Sequence, residues 1–219
     1  MIHMIITWYG QACFKIQSGE RSIVIDPFTK SIGLIPPSIQ ADIVFVTHEH
    51  SDHNNIRAIK GEYFLINGAG EYEAKGIKAQ GIASFHDNEG GSKRGPNTLY
   101  LIEFEGIRIL HLGDLGQESL EDRQVEEIGR VDILMIPVGG FFTIDAKQAV
   151  GIVQQMEPKI VIPMHYKVPG LTINELQSVG KFLKEFGEED DIKPQEKLVV
   201  KQKDFAGDEE KTRVVVLKC

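Results

Sequence analysis

Cysteine is scarce in this chain: two in 219 residues, Cys13 inside an apolar run and Cys219 at the last position. A disulfide-stapled secreted scaffold would look different, so a reducing cytoplasm is the expected compartment. No apolar run is long enough to span a bilayer. The opening Met1-Ile2-His3-Met4-Ile5-Ile6 lacks a positively charged leader and a small-residue cleavage site, and reads as a first strand rather than a signal peptide. Positive charge is also short: 24 Lys and Arg against 32 Asp and Glu leave a formal net charge of -8. That balance argues against a broad electrostatic footprint for nucleic acid or an anionic membrane. Much of the acid lies in Glu188-Glu189-Asp190-Asp191 and Asp208-Glu209-Glu210, both expected to be solvated turns.

What the chain has is a succession of short β-branched runs, each closed by turn residues. Residues 2–8, 12–17 and 21–25 are expected strands, and 43–46 is a continuous apolar run of the kind buried on both faces. A short helix is expected at 54–60, then further strands through residue 85 between recurring glycines. Residues 98–104 and 107–110 flank Glu105-Gly106, a tight hairpin signal. Expected helices at 118–128, 145–156 and 172–186 then alternate with strands at 132–136 and 159–162, and a hairpin of 197–203 with 212–218 closes the chain. Strands with interspersed helices imply two sheets packed face to face and covered outside by helices. No low-complexity linker divides the chain, so residues 1–219 read as one domain, long enough to bury a full core.

Three of the seven histidines fall within His48-Glu49-His50-Ser51-Asp52-His53, directly after the apolar run ending at Val46. Residues two apart on an extended segment point the same way, so His48 and His50 can share one metal. Asp52 and His53, where the chain turns toward the expected helix, can aim at a second. Imidazole and carboxylate together suit zinc, manganese or iron better than calcium or magnesium. His86, Asp114 and His165 each follow an apolar strand, where a rigid scaffold presents functional loops. Each alone is equally a packing histidine or an ordinary Asx turn; their joint placement favours a site.

This ordered set resembles the metallo-β-lactamase superfamily, whose hallmark is His-x-His-x-Asp-His followed by a distant His, Asp and His. More narrowly it is similar to the branch containing L-ascorbate-6-phosphate lactonase and N-acyl-phosphatidylethanolamine phospholipase D. Gly70-Glu71-Tyr72, Asn97-Thr98-Leu99-Tyr100, His111-Leu112-Gly113-Asp114-Leu115-Gly116, Pro137-Val138-Gly139-Gly140 and Pro163-Met164-His165-Tyr166 carry that likeness, which runs over residues 8–167. The resemblance implies an α+β fold, a four-layer αββα sandwich of two mixed sheets with metals at one edge. It implies that His48, His50 and His86 hold one metal, that Asp52, His53 and His165 hold another, and that Asp114 bridges them. Asp26 would support a ligand histidine from behind. Many relatives carry His where Gln11 stands, and the large inserted domain of the RNA-processing nucleases is missing here.

Two such metals would acidify a bridging water, and the hydroxide would attack a carbonyl carbon or a phosphorus. Asp52 would pass a proton to the leaving group; His111 is a second acid candidate, or else a hydrogen-bonding partner. Lys93, Arg94 and Lys167, with the N–H groups of Gly139-Gly140, are candidates for holding an anion, while Phe141 and Phe142 read as core or pocket wall. Three functions stay open on the residues alone. The first is hydrolysis of a lactone, ester or amide in a small anionic molecule. The second is phosphodiester hydrolysis on a nucleotide, nucleic acid or phospholipid. The third is a non-hydrolytic role, with redox iron or a structural metal. Two divalent ions, zinc foremost with manganese or iron as alternatives, are the expected cofactors. The expected partner is a small molecule, with no nucleic acid and no membrane span; oligomeric state stays open.

Overall fold

Alternation of buried and half-buried positions builds the first strands, β1 (Met4–Trp8) and β2 (Phe14–Ser18), so that one face of each meets the core. The computed structural model describes residues 3–188, 192–207 and 211–219, so all of the second acidic run and residues 189–191 of the first lie outside the described residues, as do Met1 and Ile2. β3 (Arg21–Ile25), β4 (Ile43–Phe45) and β5 (Phe64–Ile66) extend the first sheet, and β12 (Leu198–Val200) closes its far edge, in the order β12-β1-β2-β3-β4-β5. The second sheet holds β6 (Gly70–Ala74), β7 (Ile77–Phe85), β8 (Pro96–Phe104), β9 (Ile107–His111), β10 (Ile133–Pro137), β11 (Ile160–Met164) and β13 (Arg213–Val214), in the order β13-β11-β10-β9-β8-β7-β6. Both sheets are mixed. Phe45 of the first meets Tyr100 of the second at 5.0 Å between ring centroids, and the Tyr100 hydroxyl donates to Val46 O at 3.0 Å.

The helices α1 (Asp122–Ile128), α2 (Ala146–Met156) and α3 (Val179–Phe186) gather on the second sheet, with α2 against β10, α3 against α2, and Gln124 of α1 donating to Ala83 O of β7. Covered in this way, every residue of β10 and β11 is buried. In α2 the buried residues Ala146, Ala149, Ile152, Val153 and Met156 repeat at three and four. Asp145 accepts from Gln148 N at 2.9 Å, and the Gln148 side chain returns a bond to Asp145 N at 2.9 Å. That capping box starts α2 where the sequence predicts it, with a cap of this kind worth about 1 kcal/mol.

The helix expected at 118–128 begins only at Asp122, and three further elements differ. The 54–60 helix is only a 3-10 turn, Ile56–Ala58, because Asn55 N and Lys60 N bond outward to Pro27 O and Ile39 O. The 172–186 helix begins only at Val179: Thr172 N is spent on Ile32 O, Gln177 N on Gly139 O, and Gln177 O on Lys167 N. The closing segments do not form a hairpin. β12 pairs with β1 and β13 with β11, so each closes a different sheet.

Strand direction positions everything that follows. In the first sheet β1, β3 and β4 run one way, since β2 is antiparallel to both β1 and β3 while β4 is parallel to β3. In the second, β7, β9, β10 and β11 run one way by the same logic. The loops leaving these seven C-terminal ends carry Gln11, Asp26, His48 through His53, His86, Asp114, Gly139 and His165. No helix among the described residues is long and apolar enough to cross a membrane.

Candidate metal centre

At the shared edge the described residues include two groups of ligand atoms, His48 with His50 and His86, and Asp52 with His53, Asp114 and His165; within each group the atoms lie within 4.8 Å of one another. Asp114 joins them. Its Oδ2 lies 3.2 Å from both His53 Nε2 and His165 Nε2, 3.3 Å from His86 Nε2 and 4.0 Å from His48 Nε2. His48 Nε2 and His50 Nδ1 are 3.1 Å apart, as the alternation across 48–50 predicts. His50 is exposed and Asp52 half-buried, whereas His48, His53, His86, Asp114 and His165 are buried.

The donor chemistry fits a metal. His53 Nδ1 donates to Asp26 Oδ2 at 2.9 Å, which leaves Nε2 as the nitrogen that faces the site. That nitrogen is buried without a hydrogen-bond partner, facing Asp114 Oδ2 at 3.2 Å and Asp52 Oδ2 at 3.4 Å. Asp114 Oδ1 is buried and unpartnered as well. Acceptors converging on acceptors in a dry pocket cost several kcal/mol per charge unless a cation sits among them. The electrostatics agree. Burial opposes charge on His53, yet Asp114, Asp52 and Asp26 together raise its pKa well above the ordinary value, so the carboxylates favour positive charge at Nε2, from a proton or from a metal ion. Burial would likewise raise Asp114, but His165 and His53 hold it well below the carboxylate range. Burial and the neighbouring His53 push His48 down to about 2, so its imidazole is neutral and free to donate a lone pair.

Asp26 organises the back of the centre. Besides His53 it accepts from Thr47 N at 2.8 Å and Thr47 Oγ1 at 2.7 Å, and Thr47 Oγ1 sits 3.0 Å from His48 Nδ1. One buried carboxylate thus orients a histidine in each group, which is what outer partners of metal ligands do. Sequence reasoning passed over Thr47 and Asn97. Asn97 Oδ1 accepts from Asp114 N at 3.1 Å, while its Nδ2 donates to Leu112 O at 2.9 Å and Ser84 Oγ at 2.8 Å. Gly113 makes this clamp possible: its φ is +54, and a Cβ there would lie 2.4 Å from Asn97 Oδ1 and 2.8 Å from Thr47 Cβ.

Other candidates are sorted by their contacts. His111 is fully buried; its Nε2 lies 2.9 Å from Ala12 O and its Nδ1 accepts from Gly113 N at 3.1 Å. Both nitrogens are committed to backbone, so the expected proton-donor role has no free nitrogen to serve it. Gly139 serves close packing, since a Cβ there would lie 2.1 Å from His165 O. Lys93 Nζ pairs with Glu89 on its own loop, and Lys167 Nζ bonds Asn174 Oδ1 at 2.6 Å. Arg94 differs: it lines a cavity of about 490 Å³ together with His48, His50, Glu49 and Thr98. Its guanidinium lies 4.9 Å over the Phe142 ring. Phe142 is half-buried and Phe141 exposed, so neither belongs to the core. Asp87, next to His86, accepts from the backbone N–H groups of Glu89, Gly91, Lys93 and Arg94 at 2.8–2.9 Å, and so pins the loop that carries Arg94.

Known proteins resemble this chain in sequence and fold. A family model described as a beta-lactamase superfamily domain matches residues 5–165. A UPF0173 metal-dependent hydrolase of Staphylothermus marinus is 32% identical over 192 residues, covering 74% of this chain and 83% of its own length. Another, from Methanoculleus marisnigri, is 31% identical over 186 residues, covering 74% and 81%. Among solved structures, a metallo-beta-lactamase superfamily protein of Thermotoga maritima, provisionally described as a Zn-dependent hydrolase, is 35% identical with a TM-score of 0.77, covering 98% of this chain and 100% of that one. Igni18, a metallo hydrolase of Ignicoccus hospitalis, shares the fold at 20% identity and a TM-score of 0.65, covering 91% and 99%.

Proposed function

Because this chain belongs to the metallo-β-lactamase superfamily, and within it to the UPF0173 metal-dependent hydrolases, we propose that it hydrolyses a lactone, ester or amide bond in a small anionic molecule, using two divalent metal ions. The observation that carries the reading is the pairing of the two donor groups at Asp114 with a cavity beside them that bears Arg94. In this reading residues 1–219 form one hydrolase domain. His48, His50 and His86 would hold the first ion and Asp52, His53 and His165 the second, with Asp114 available to either. Zinc stands first, supported by the description of the Thermotoga maritima relative, with manganese or iron as alternatives for the same donors. When bound, the ions supply Lewis acidity toward the substrate oxygen and bring the pKa of water near neutrality.

The chain's own residues do the rest. Asp26 and Thr47 fix the ring orientations of His53 and His48, and Asn97 fixes the loop of Asp114. Arg94 binds the substrate's carboxylate or phosphate through its planar fork, braced by the Phe142 ring. Asp52, whose side chain is 21% exposed against 2% for Asp114, takes the proton released by the attacking water and passes it to the leaving group. His111 serves as a positioning residue that ties the Gly113 N–H to Ala12 O. A panel of a carboxylate-bearing lactone, a neutral lactone of the same ring and an aryl phosphodiester, each with zinc-loaded protein, tests the reading. Turnover is expected on the anionic lactone first. Turnover of the phosphodiester alone would replace the lactonase reading with a phosphodiesterase one.

A further inference from the structure

Gln11 is a buried polar residue of the centre that the His-x-His-x-Asp-His ligand set leaves without a part. Its side chain is fully buried, its Nε2 lies 2.8 Å from His165 Nε2 and 3.1 Å from Asp52 Oδ2, and its Oε1 has no hydrogen-bond partner. These separations match those within the second donor group, where His53 Nε2 lies 3.4 Å from Asp52 Oδ2 and His165 Nε2 lies 3.2 Å from Asp114 Oδ2. The amide head therefore stands where a fifth donor of that group would stand.

The backbone is arranged to keep it there. Gln11 has a φ of 51°, a left-handed conformation uncommon for a residue with a Cβ. Its carbonyl holds that conformation by accepting both the Trp8 indole N–H at 3.0 Å and His165 N at 3.0 Å. Asp26, at φ 48°, and His165, at φ 52°, are strained in the same way, and both belong to the centre. Strain of this kind persists where surrounding structure over-determines it, as at binding sites.

Polarity then decides which end of the amide faces inward. Asp52 Oδ2 and His165 Nε2 offer lone pairs, so the NH2 group turns toward them. A cation among the same atoms inverts the preference, and half a turn of the terminal torsion exchanges NH2 for the carbonyl oxygen with almost no change in shape. We propose that Gln11 is a ligand of the second metal position, presenting Oε1 when the Asp52, His53, Asp114 and His165 group is loaded and capping that group with its NH2 when it is not. The inference rests on the reading that this group holds a metal. A neutral oxygen donor also makes the second position more hospitable to manganese than the first, which has three histidines.

Titration of apoprotein with Zn2+, and separately with Mn2+, against a chromophoric chelator tests this without any substrate. The variants are Gln11→Gly, which suits the positive φ; Gln11→Leu, which keeps the volume; and Gln11→Glu, which keeps an oxygen donor. Wild type is expected to bind two equivalents. Gln11→Gly and Gln11→Leu should keep the first equivalent, which also reports an intact fold, and bind the second at least tenfold more weakly. Gln11→Glu should bind the second at least as tightly as wild type. A second equivalent in Gln11→Gly as tight as wild type's, or tighter, overturns the proposal, and if that variant loses both equivalents the Gln11→Leu result decides in the same way. A wild type that binds a single equivalent overturns both the proposal and the reading beneath it.

Discussion

Arg94 and Asp26 show how differently single residues contribute here. Arg94 makes its case by exclusion, because Lys93 and Lys167 spend their charges on neighbouring side chains while Arg94 lines the cavity next to His48 and His50. A charge-assisted hydrogen bond to an anionic substrate contributes about 1.5–3 kcal/mol, or roughly tenfold to a hundredfold. Steady-state kinetics of Arg94→Ala should accordingly show KM raised by about that factor on the anionic lactone, with kcat nearly unchanged and the neutral lactone unaffected. An equal loss on both substrates would remove Arg94 from the anion site. Asp26 acts through other residues. In Asp26→Asn one oxygen becomes NH2, so the amide cannot accept from Thr47 N, Thr47 Oγ1 and His53 Nδ1 together, and chelator competition should show metal affinity lowered by roughly 10–100-fold in a protein that still folds. At this scale the motif histidines were legible because 48–53 is local, and alternation alone sets His48 beside His50. Thr47, Asn97 and the cavity-facing choice of Arg94 over Lys93 were not, since each depends on contacts between segments distant in the sequence.

Elements transmit these residue effects. In the 88–95 loop four backbone N–H groups meet on the Asp87 carboxylate, beside the internal bonds of Ser92 N to Glu89 O and Gly95 N to Gly91 O. Asp87→Ala should loosen that loop and raise KM much as Arg94→Ala does. The double variant should be clearly less than additive, because both changes remove the same anchor. Additive losses in a double-mutant cycle would show that Asp87 acts elsewhere. The loop of Asp114 is tighter still. Gly113→Ala would force a Cβ against Asn97 and Thr47 at a positive φ, and denaturant unfolding should show a loss of about 2–4 kcal/mol. Strands were legible from β-branched runs, and α2 from its capping box, because those signals are local. Residues 172–178 read as helix by composition, but their backbone bonds reach the loops at Ile32, Gly139 and Lys167 that frame the centre. The closing hairpin misled for a similar reason: two matched apolar runs joined by an acidic connection carry no record of which sheet each one joins.

For the whole molecule, one directional rule connects fold and chemistry: the loops that supply the centre follow seven of the strands that run toward a single edge. The placement of His86, Asp114 and His165 after apolar strands is legible in the amino-acid order alone. Gln11, after β1, obeys the same rule and could have been found by it. A centre assembled from both sheets also couples metal binding to global stability. With free metal about a hundredfold above its dissociation constant, binding adds about 2.7 kcal/mol. For a chain of this size that corresponds to a Tm lower by roughly 5–10 °C after chelation, measurable by calorimetry and reversible on adding metal back. An unchanged Tm would mean that the ions do not bind the folded centre.

The most direct test of the central claim is elemental analysis of protein purified without added metal or a histidine tag, with turnover of the anionic lactone followed before and after chelation. The account predicts close to two equivalents of zinc, manganese or iron per chain and activity that chelation abolishes and metal restores. Absence of metal even after reconstitution, or lactone turnover indifferent to the chelator, would contradict it.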